Sequence, residues 1–144
     1  MKPISQTKNS LFFSDGTRLT YGNCLVACIA SILEEPIDEI PNIYTFYNLG
    51  VKHDNIEHDV WFQVINQWLI LKYNKCFKVH NKDVPTVQPY VIMRGLSKRS
   101  RPHCVIYKND DGLLKPCFDP HPTMEYLSQE QYYFTIEECL TSSL

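Results

Sequence analysis

The spacing of hydrophobic positions divides the chain into a helical first half and a sheet-forming second half. The stretch CLVACIASIL, which begins at Cys24, is apolar on all sides and rich in small residues, so it predicts a buried central helix rather than a strand. Asn23 is the expected N-cap of this helix, and Pro36 is the expected stop. Between His58 and Lys72 the apolar residues recur every three or four positions, which predicts an amphipathic helix.

Shorter segments complete the pattern. Residues 1–22 predict an irregular lead-in with a short strand around residues 11–13, and residues 36–41 predict a single helical turn between two prolines. The second half contains short runs rich in β-branched and aromatic residues, at 76–80, 90–93, 104–107, 113–118 and 132–136. The Asn-Asp-Asp-Gly sequence at 109–112 predicts a tight hairpin. Helices followed by an antiparallel sheet indicate an α+β domain.

The length and charge of the chain limit its expected domain number, partners and location. A chain of 144 residues with 44% hydrophobic residues predicts one domain over 1–144, with a core at about 22–136. The net charge of -2 provides no basic field for nucleic acid, and we interpret the basic run 98–101 as a solvated loop rather than a phosphate or carboxylate site. The sequence predicts no secretory signal peptide, and it contains no apolar run of about 20 residues. We therefore expect a cytoplasmic protein without a membrane partner, in which the six cysteines are free thiols.

Cys24 is the candidate nucleophile, because its position favours the thiolate. A free cysteine has a pKa of about 8.5 and is mostly protonated at neutral pH. A thiol at a helix N-terminus meets unpaired backbone N–H groups and the positive end of the helix dipole, which lower that pKa. Cys24 stands where Gly22-Asn23 gives way to the predicted helix. Gly22 has no side chain, so a substrate backbone is able to approach the sulfur.

His103 is the candidate base, and Asp119 is the residue expected to orient it. His103 begins a predicted strand that leads into the hairpin at 109–112, and the returning strand ends at Asp119. The hairpin therefore brings a carboxylate back to an imidazole. A carboxylate in that position fixes the ring tautomer and stabilises the imidazolium. Together with Cys24, these residues form a candidate Cys-His-Asp triad.

The oxyanion of a tetrahedral intermediate needs N–H donors, and the sequence leaves their identity open. The backbone amide of Cys24 is one candidate. Asn23, Tyr21 and Gln6 are the candidates for a second donor.

Structural roles are the alternative for each cysteine. Cys24 is alternatively a small apolar residue of the core helix, which is the role we expect for Cys28. The remaining cysteines lie in apolar or terminal stretches without paired spacing, and we interpret them as structural: Cys76, Cys104, Cys117 and Cys139.

A metal site, which would make the protein a His-dependent metalloenzyme, is a weaker hypothesis. His53 and His58, each followed by an aspartate, would supply ligands together with His121. Histidines near a helix start are more often caps or surface groups, and Cys24-x3-Cys28 lacks the second closely spaced pair of a zinc knuckle. We therefore expect no metal and no other cofactor.

The chemistry-bearing segments resemble a family of small papain-like proteins found widely in phage and bacterial genomes, which is similar to the peptidase C39-like branch of the papain-like fold. The resemblance lies in the sequence GNCLVACIASILEEPIDEIPN at 22–42, the following tryptophan helix, His103 on a strand and FDPHP at 118–122. It implies N-terminal helices packed on a C-terminal antiparallel sheet, with Cys24 as nucleophile, His103 as base and Asp119 as orienting residue. Residues 17–21 read TRLTY where papain-like enzymes usually place a glutamine.

Two functional hypotheses follow. The first is a thiol hydrolase that cleaves an amide, peptide or isopeptide bond, or transfers the acyl group, through a thioester on Cys24. Its partner would be a peptide or small amide substrate, in the host cytoplasm if the protein is viral. The second is a catalytically silent binding or inhibitory module on the same fold. A reactive Cys24 distinguishes the two.

Overall fold

The computed structural model describes residues 1–8, 11–12, 18–20, 22–47 and 54–139. These residues form an α+β arrangement, as the sequence predicts, with two α-helices, three 3₁₀ turns and a five-stranded antiparallel sheet. The helices and strands are β1 (Leu11–Phe12), β2 (Arg18–Thr20), α1 (Cys24–Leu33), α2 (Val60–Tyr73), β3 (Lys75–Asn81), β4 (Tyr90–Ser97), β5 (Pro102–Asp110), β6 (Leu113–Phe118) and β7 (Leu127–Glu138). The 3₁₀ turns are Ile37–Glu39, Ile43–Phe46 and Ile56–His58. No helix of the described residues has the length and apolar character needed to cross a membrane.

The first helix is the buried central helix that its sequence predicts. Every residue from Leu25 to Ser31 is buried, which explains why no polar face interrupts its sequence. Asn23 occupies the N-cap position but forms no side-chain capping bond. The helix ends three residues before Pro36, because Glu34 adopts a left-handed conformation with φ 58° and its N–H bonds to Ala30 and Ser31 carbonyls.

The second helix carries the predicted amphipathic pattern from Val60 to Tyr73. Its buried face consists of Trp61, Phe62, Ile65 and Leu69. Asn74 ends it in the left-handed conformation, with φ 55°, and turns the chain directly into β3. This face packs on the core between the helices and the sheet.

The sheet has the strand order β3-β7-β4-β5-β6, so the last strand of the chain lies between β3 and β4. The strands predicted at 76–80, 90–93, 104–107 and 132–136 are present with longer bounds, and β6 has the predicted bounds. The hairpin between β5 and β6 turns through Asp111 (φ 52°) and Gly112 (φ 91°). Of the strand predicted around residues 11–13, Leu11–Phe12 is present and residue 13 lies outside the described residues. One sheet face packs on the helices, and the other buries a smaller cluster around Val91, Val105 and Tyr133.

Candidate active site

Cys24 is the first residue of α1, and its side chain is partly exposed at the start of the buried helix. The first intrahelical bond runs from the Ala27 N–H to the Asn23 carbonyl, at 2.9 Å. The N–H of Val26 lies 3.2 Å from the Tyr44 hydroxyl oxygen and donates to it. The sulfur therefore lies at the N-terminal end of the helix, where backbone N–H groups and the dipole favour an anion.

His103 and Asp119 meet as the hairpin predicts. His103 Nε2 lies 2.6 Å from Asp119 Oδ1, and the two residues are 5% and 2% exposed. Asp119 also accepts the backbone N–H of His121 on Oδ1 and that of Tyr126 on Oδ2, both at 2.8 Å. Three N–H donors hold the carboxylate, so its position and its charge are fixed.

The second nitrogen of the His103 ring is available to the thiol. Nε2 is bonded to Asp119, so Nδ1 is the nitrogen that remains for the interaction of His103 with Cys24. The structure thus brings together all three residues of the predicted triad, which come from the start of α1, the start of β5 and the position directly after β6.

The electrostatics of the site favour a thiolate beside an imidazolium. The pKa of Cys24 lies well below its ordinary value, because hydrogen bonds from Cys104 and His103 and the positive charges of His103 and Arg94 outweigh the effect of burial. Burial opposes charge on His103, but its bonds to Asp119 and Cys24 raise its pKa to about 9. Burial likewise opposes charge on Asp119, and the bonds from His103, His121 and Tyr126 lower its pKa nonetheless.

Cys104 belongs to the site, although its sequence context predicts only a structural role. It follows His103 on β5, it is 2% exposed, and it hydrogen-bonds to the Cys24 sulfur. The pKa of Cys104 is raised well above its ordinary value by that hydrogen bond and by burial. Cys104 therefore stays protonated and is the donor to the Cys24 thiolate.

The N-terminal segment reaches the site through Asn23 and Gln6. Asn23 Oδ1 accepts the backbone N–H groups of Thr7 (2.9 Å) and Lys8 (2.8 Å), and its Nδ2 donates to the Thr7 hydroxyl (2.7 Å). These bonds explain why Asn23 does not cap the helix. The Gln6 N–H donates to the carbonyl of Pro120, the residue after Asp119, at 2.9 Å.

The side-chain amides of Asn23 and Gln6, two candidates for the oxyanion donor, are both engaged. Asn23 Nδ2 donates to the Thr7 hydroxyl, and Gln6 Nε2 donates to the Lys8 carbonyl at 2.9 Å. The backbone of Gln6 lies beside Pro120, the residue that follows Asp119. Tyr21 lies outside the described residues.

A cavity of about 230 Å³ opens beside the Cys24 sulfur. Gly22 lines it, as expected for a residue that leaves room for a substrate. The lining also includes a cation, Arg94, and several aromatic side chains, among them Trp61 and Tyr132. The sequence predicted neither Arg94 as a site residue nor this combination of a cation with aromatic rings.

The weaker metal hypothesis gains no support from the described residues. His53 lies outside them, and no group of three His, Cys, Asp or Glu side chains within them is arranged to hold a metal ion. His121 has contacts on both ring nitrogens, since Nε2 lies 3.0 Å from Arg99 Nη1 and Nδ1 lies 2.9 Å from the Thr123 hydroxyl. The basic run at 98–101 lies in the turn between β4 and β5, as predicted. Residues 98–100 are exposed, and Arg99 contacts His121.

Comparisons of the chain with protein-family models, with curated proteins and with solved structures give no match.

Proposed function

We propose that this protein is a papain-like cysteine hydrolase that cleaves an amide, peptide or isopeptide bond through a thioester on Cys24. The single observation that carries the proposal is the hydrogen-bonded series Cys24–His103–Asp119, in which a thiol at a helix start meets an imidazole held by a buried carboxylate. Covalent catalysis requires a nucleophile, a base and an orienting group that are in contact with one another.

The proposed reaction has two halves. The Cys24 thiolate attacks the carbonyl carbon of the amide, and the oxyanion that forms is stabilised by N–H donors at the start of α1. The His103 imidazolium gives its proton to the leaving nitrogen, so the C–N bond breaks and a thioester remains. Neutral His103 then takes a proton from water, which attacks the thioester and releases the acid and the thiolate. An amine in place of this water would make the protein a transferase.

Gln6 is the proposed partner of the Cys24 amide in the oxyanion hole. Its backbone is bonded to the carbonyl of Pro120, and the following residues are bonded to Asn23, immediately before the nucleophile. The proposed glutamine thus belongs to the N-terminal segment rather than to residues 17–21, where the papain-like pattern usually has one.

The papain-like architecture is part of the proposal. A buried helix that begins with the nucleophile, followed by an antiparallel sheet that carries the histidine and the carboxylate on neighbouring strands, supports it. Fold alone does not name a substrate, so the reactivity of Cys24 is the property to measure.

The test is the pH dependence of iodoacetamide labelling at Cys24, located by peptide mass spectrometry under reducing conditions. We expect labelling that stays rapid well below pH 8, because the thiolate persists there. His103→Ala should slow labelling at pH 6 by about tenfold or more, since the imidazolium that stabilises the thiolate is lost. His80→Ala is the matched control, because His80 lies on β3 in contact with Thr135 and should leave labelling unchanged.

Slow labelling of Cys24 in both the native protein and His103→Ala would contradict the proposal. Cys24 would then be a residue of the core helix, and a binding module on the same fold would be the better explanation. The exposed Cys117 provides an internal reference for reagent reactivity in every sample.

A further inference from the structure

Arg94 lies in the middle of the sheet, beneath the nucleophile. It is paired with Cys104 on β5 and with Tyr132 on β7, so these three residues form one row across the three central strands. All three line the cavity that also contains Cys24. The guanidinium therefore lies in the wall of the space in which a substrate would meet the sulfur.

The positive charge of Arg94 has no carboxylate partner among the described residues. None of their ion pairs includes Arg94, although Asp59 lines the same cavity. Its neighbours are the Tyr132 hydroxyl and the sulfurs of Cys104 and Cys24, of which the Cys24 thiolate carries a negative charge. A largely buried guanidinium is usually paired with an anion, because removing a charge from water is costly. The Cys24 thiolate also interacts with His103, so an anionic ligand in the cavity would complete the pairing of Arg94.

The rest of the cavity is aromatic and ordered by ring contacts. The Tyr44 and Tyr47 ring centroids lie 5.0 Å apart, those of Tyr47 and Trp61 lie 5.4 Å apart, and those of Trp61 and Phe134 lie 6.1 Å apart, all edge to face. Such walls suit an apolar or aromatic group. A volume of about 230 Å³ has room for one small side chain with a terminal charge.

We propose that this cavity recognises the substrate, and that Arg94 binds a carboxylate carried beside an apolar group close to the bond that Cys24 attacks. The inference rests on the proposed hydrolase function and adds a substrate class to it. A planar guanidinium binds a carboxylate through two parallel N–H bonds, which fixes the ligand in orientation as well as in charge. The carboxylate has two possible sources, a free C-terminus or an acidic side chain.

The test compares two alkylating reagents of similar size, iodoacetate and iodoacetamide, at Cys24. Only iodoacetate carries a carboxylate, so the ratio of the two labelling rates reports attraction of the carboxylate. Because both reagents need the thiolate, any change in the pKa of Cys24 cancels in this ratio. We expect the ratio at Cys24 to exceed the ratio at the exposed Cys117 by about tenfold, the effect of one charge-assisted contact.

Arg94→Gln should return the ratio at Cys24 to that of Cys117, and Arg94→Lys should restore part of the preference. Lys98→Gln is the matched control, since it removes one exposed positive charge from the nearby β4–β5 turn and should leave the ratio unchanged. A preference that survives Arg94→Gln, or an equal loss in Lys98→Gln, would overturn the role of Arg94. Circular dichroism verifies that the variants are folded.

A second measurement uses the native protein alone, so it does not depend on the folding of Arg94 variants. N-acetylphenylalanine, with a free C-terminal carboxylate, and N-acetylglutamate α-amide, with an acidic side chain, are each tested for protection of Cys24 against iodoacetamide. Each is compared with its neutral amide. We expect one of the acids to protect at least tenfold better than its amide, which identifies the source of the carboxylate. Equal effects of acid and amide in both pairs would overturn the inference.

The two proposals fail in different ways. If Cys24 reacts slowly with both reagents, the hydrolase function and the pocket assignment are both wrong. If Cys24 reacts rapidly with both but shows no preference that depends on Arg94, the hydrolase function stands and the carboxylate pocket is wrong.

Discussion

At the scale of single residues, the centre of the site is the Cys24 thiol, which has hydrogen-bond donors at two consecutive positions of β5. His103 and Cys104 both hydrogen-bond to the Cys24 sulfur. The imidazole offers a proton that it can exchange during catalysis, whereas the thiol of Cys104 keeps its proton. Cys104 is thus a positioning residue that stabilises the thiolate without taking part in proton transfer.

Replacement of Cys104 by alanine tests this role. We expect the pH midpoint of Cys24 alkylation to move upward and the rate at pH 6 to fall about two- to tenfold, since one hydrogen bond contributes about 0.5–1.5 kcal/mol. Cys28→Ala is the matched control, because Cys28 is buried on the same helix and should leave the midpoint where it is. An unchanged midpoint in Cys104→Ala would show that the Cys104 thiol only fills space.

The sequence reveals Cys24, His103 and Asp119 but not Cys104 or Arg94, for physical reasons. The triad is marked by local features: a helix start, a strand start and a hairpin that returns a carboxylate. Cys104 has no partner at a characteristic spacing, and Arg94 follows the apolar run 90–93, where a charge is usually taken as the strand end. The signal that could have revealed Arg94 is its charge at a position inside a strand, since β4 continues to Ser97.

At the scale of the elements, the N-terminal segment is held against α1 by side chains of the helix. Asn23 binds Thr7 and Lys8, and the Ser31 hydroxyl accepts the Ile4 N–H at 2.9 Å. These bonds cross many residues of sequence, so neither the hydrophobic pattern nor the local motifs indicate them. They position Gln6 beside Pro120, which is why the proposed oxyanion donor comes from so early in the chain.

Replacement of Asn23 by alanine should release this segment from the start of α1. We expect the amide protons of Thr7 and Lys8 to lose their protection from hydrogen exchange, and the protein to lose about 1–3 kcal/mol of stability, because three hydrogen bonds disappear. Hydrogen exchange measured by mass spectrometry checks the first expectation, and urea unfolding checks the second.

Asn55→Ala is the matched control for that experiment. Asn55 Oδ1 also accepts a backbone N–H, that of Glu57 at 3.3 Å, but in an exposed turn before α2. The Asn55→Ala variant should leave hydrogen exchange in the N-terminal segment unchanged. Retained protection in Asn23→Ala would mean that other contacts hold the segment.

At the scale of the whole molecule, the sheet order joins parts of the chain that are far apart in sequence. The helices, strands and β5–β6 hairpin are predictable because each leaves a local pattern, and the hairpin alone explains the meeting of His103 and Asp119. The insertion of β7 between β3 and β4 leaves no such pattern. The row Tyr132–Arg94–Cys104, and with it the cavity, follows from that insertion and was not predictable.

The buried charge of Asp119 should make the stability of the whole fold depend on pH. Its pKa is lowered in the folded protein, so its contribution is present above the unfolded value of about 3.9 and is lost as the pH falls through the folded value. The pKa of His103 is raised to about 9, so its contribution is complete below about 6.5 and is lost as the pH rises through 9. The interaction between the two charges is therefore strongest between about pH 4 and pH 9.

Asp119→Asn tests this dependence through urea unfolding at pH 3, 7 and 10. We expect the variant to be less stable by about 2–4 kcal/mol at pH 7, because the buried imidazolium loses its carboxylate partner, and the difference from the native protein to shrink at both extremes. Asp110→Asn is the matched control: Asp110 pairs with Lys115 at 3.0 Å on the exposed hairpin and should cost less than about 1 kcal/mol. A difference that stays constant from pH 3 to pH 10 would mean that Asp119 acts through its shape and hydrogen bonds, without a contribution from its charge.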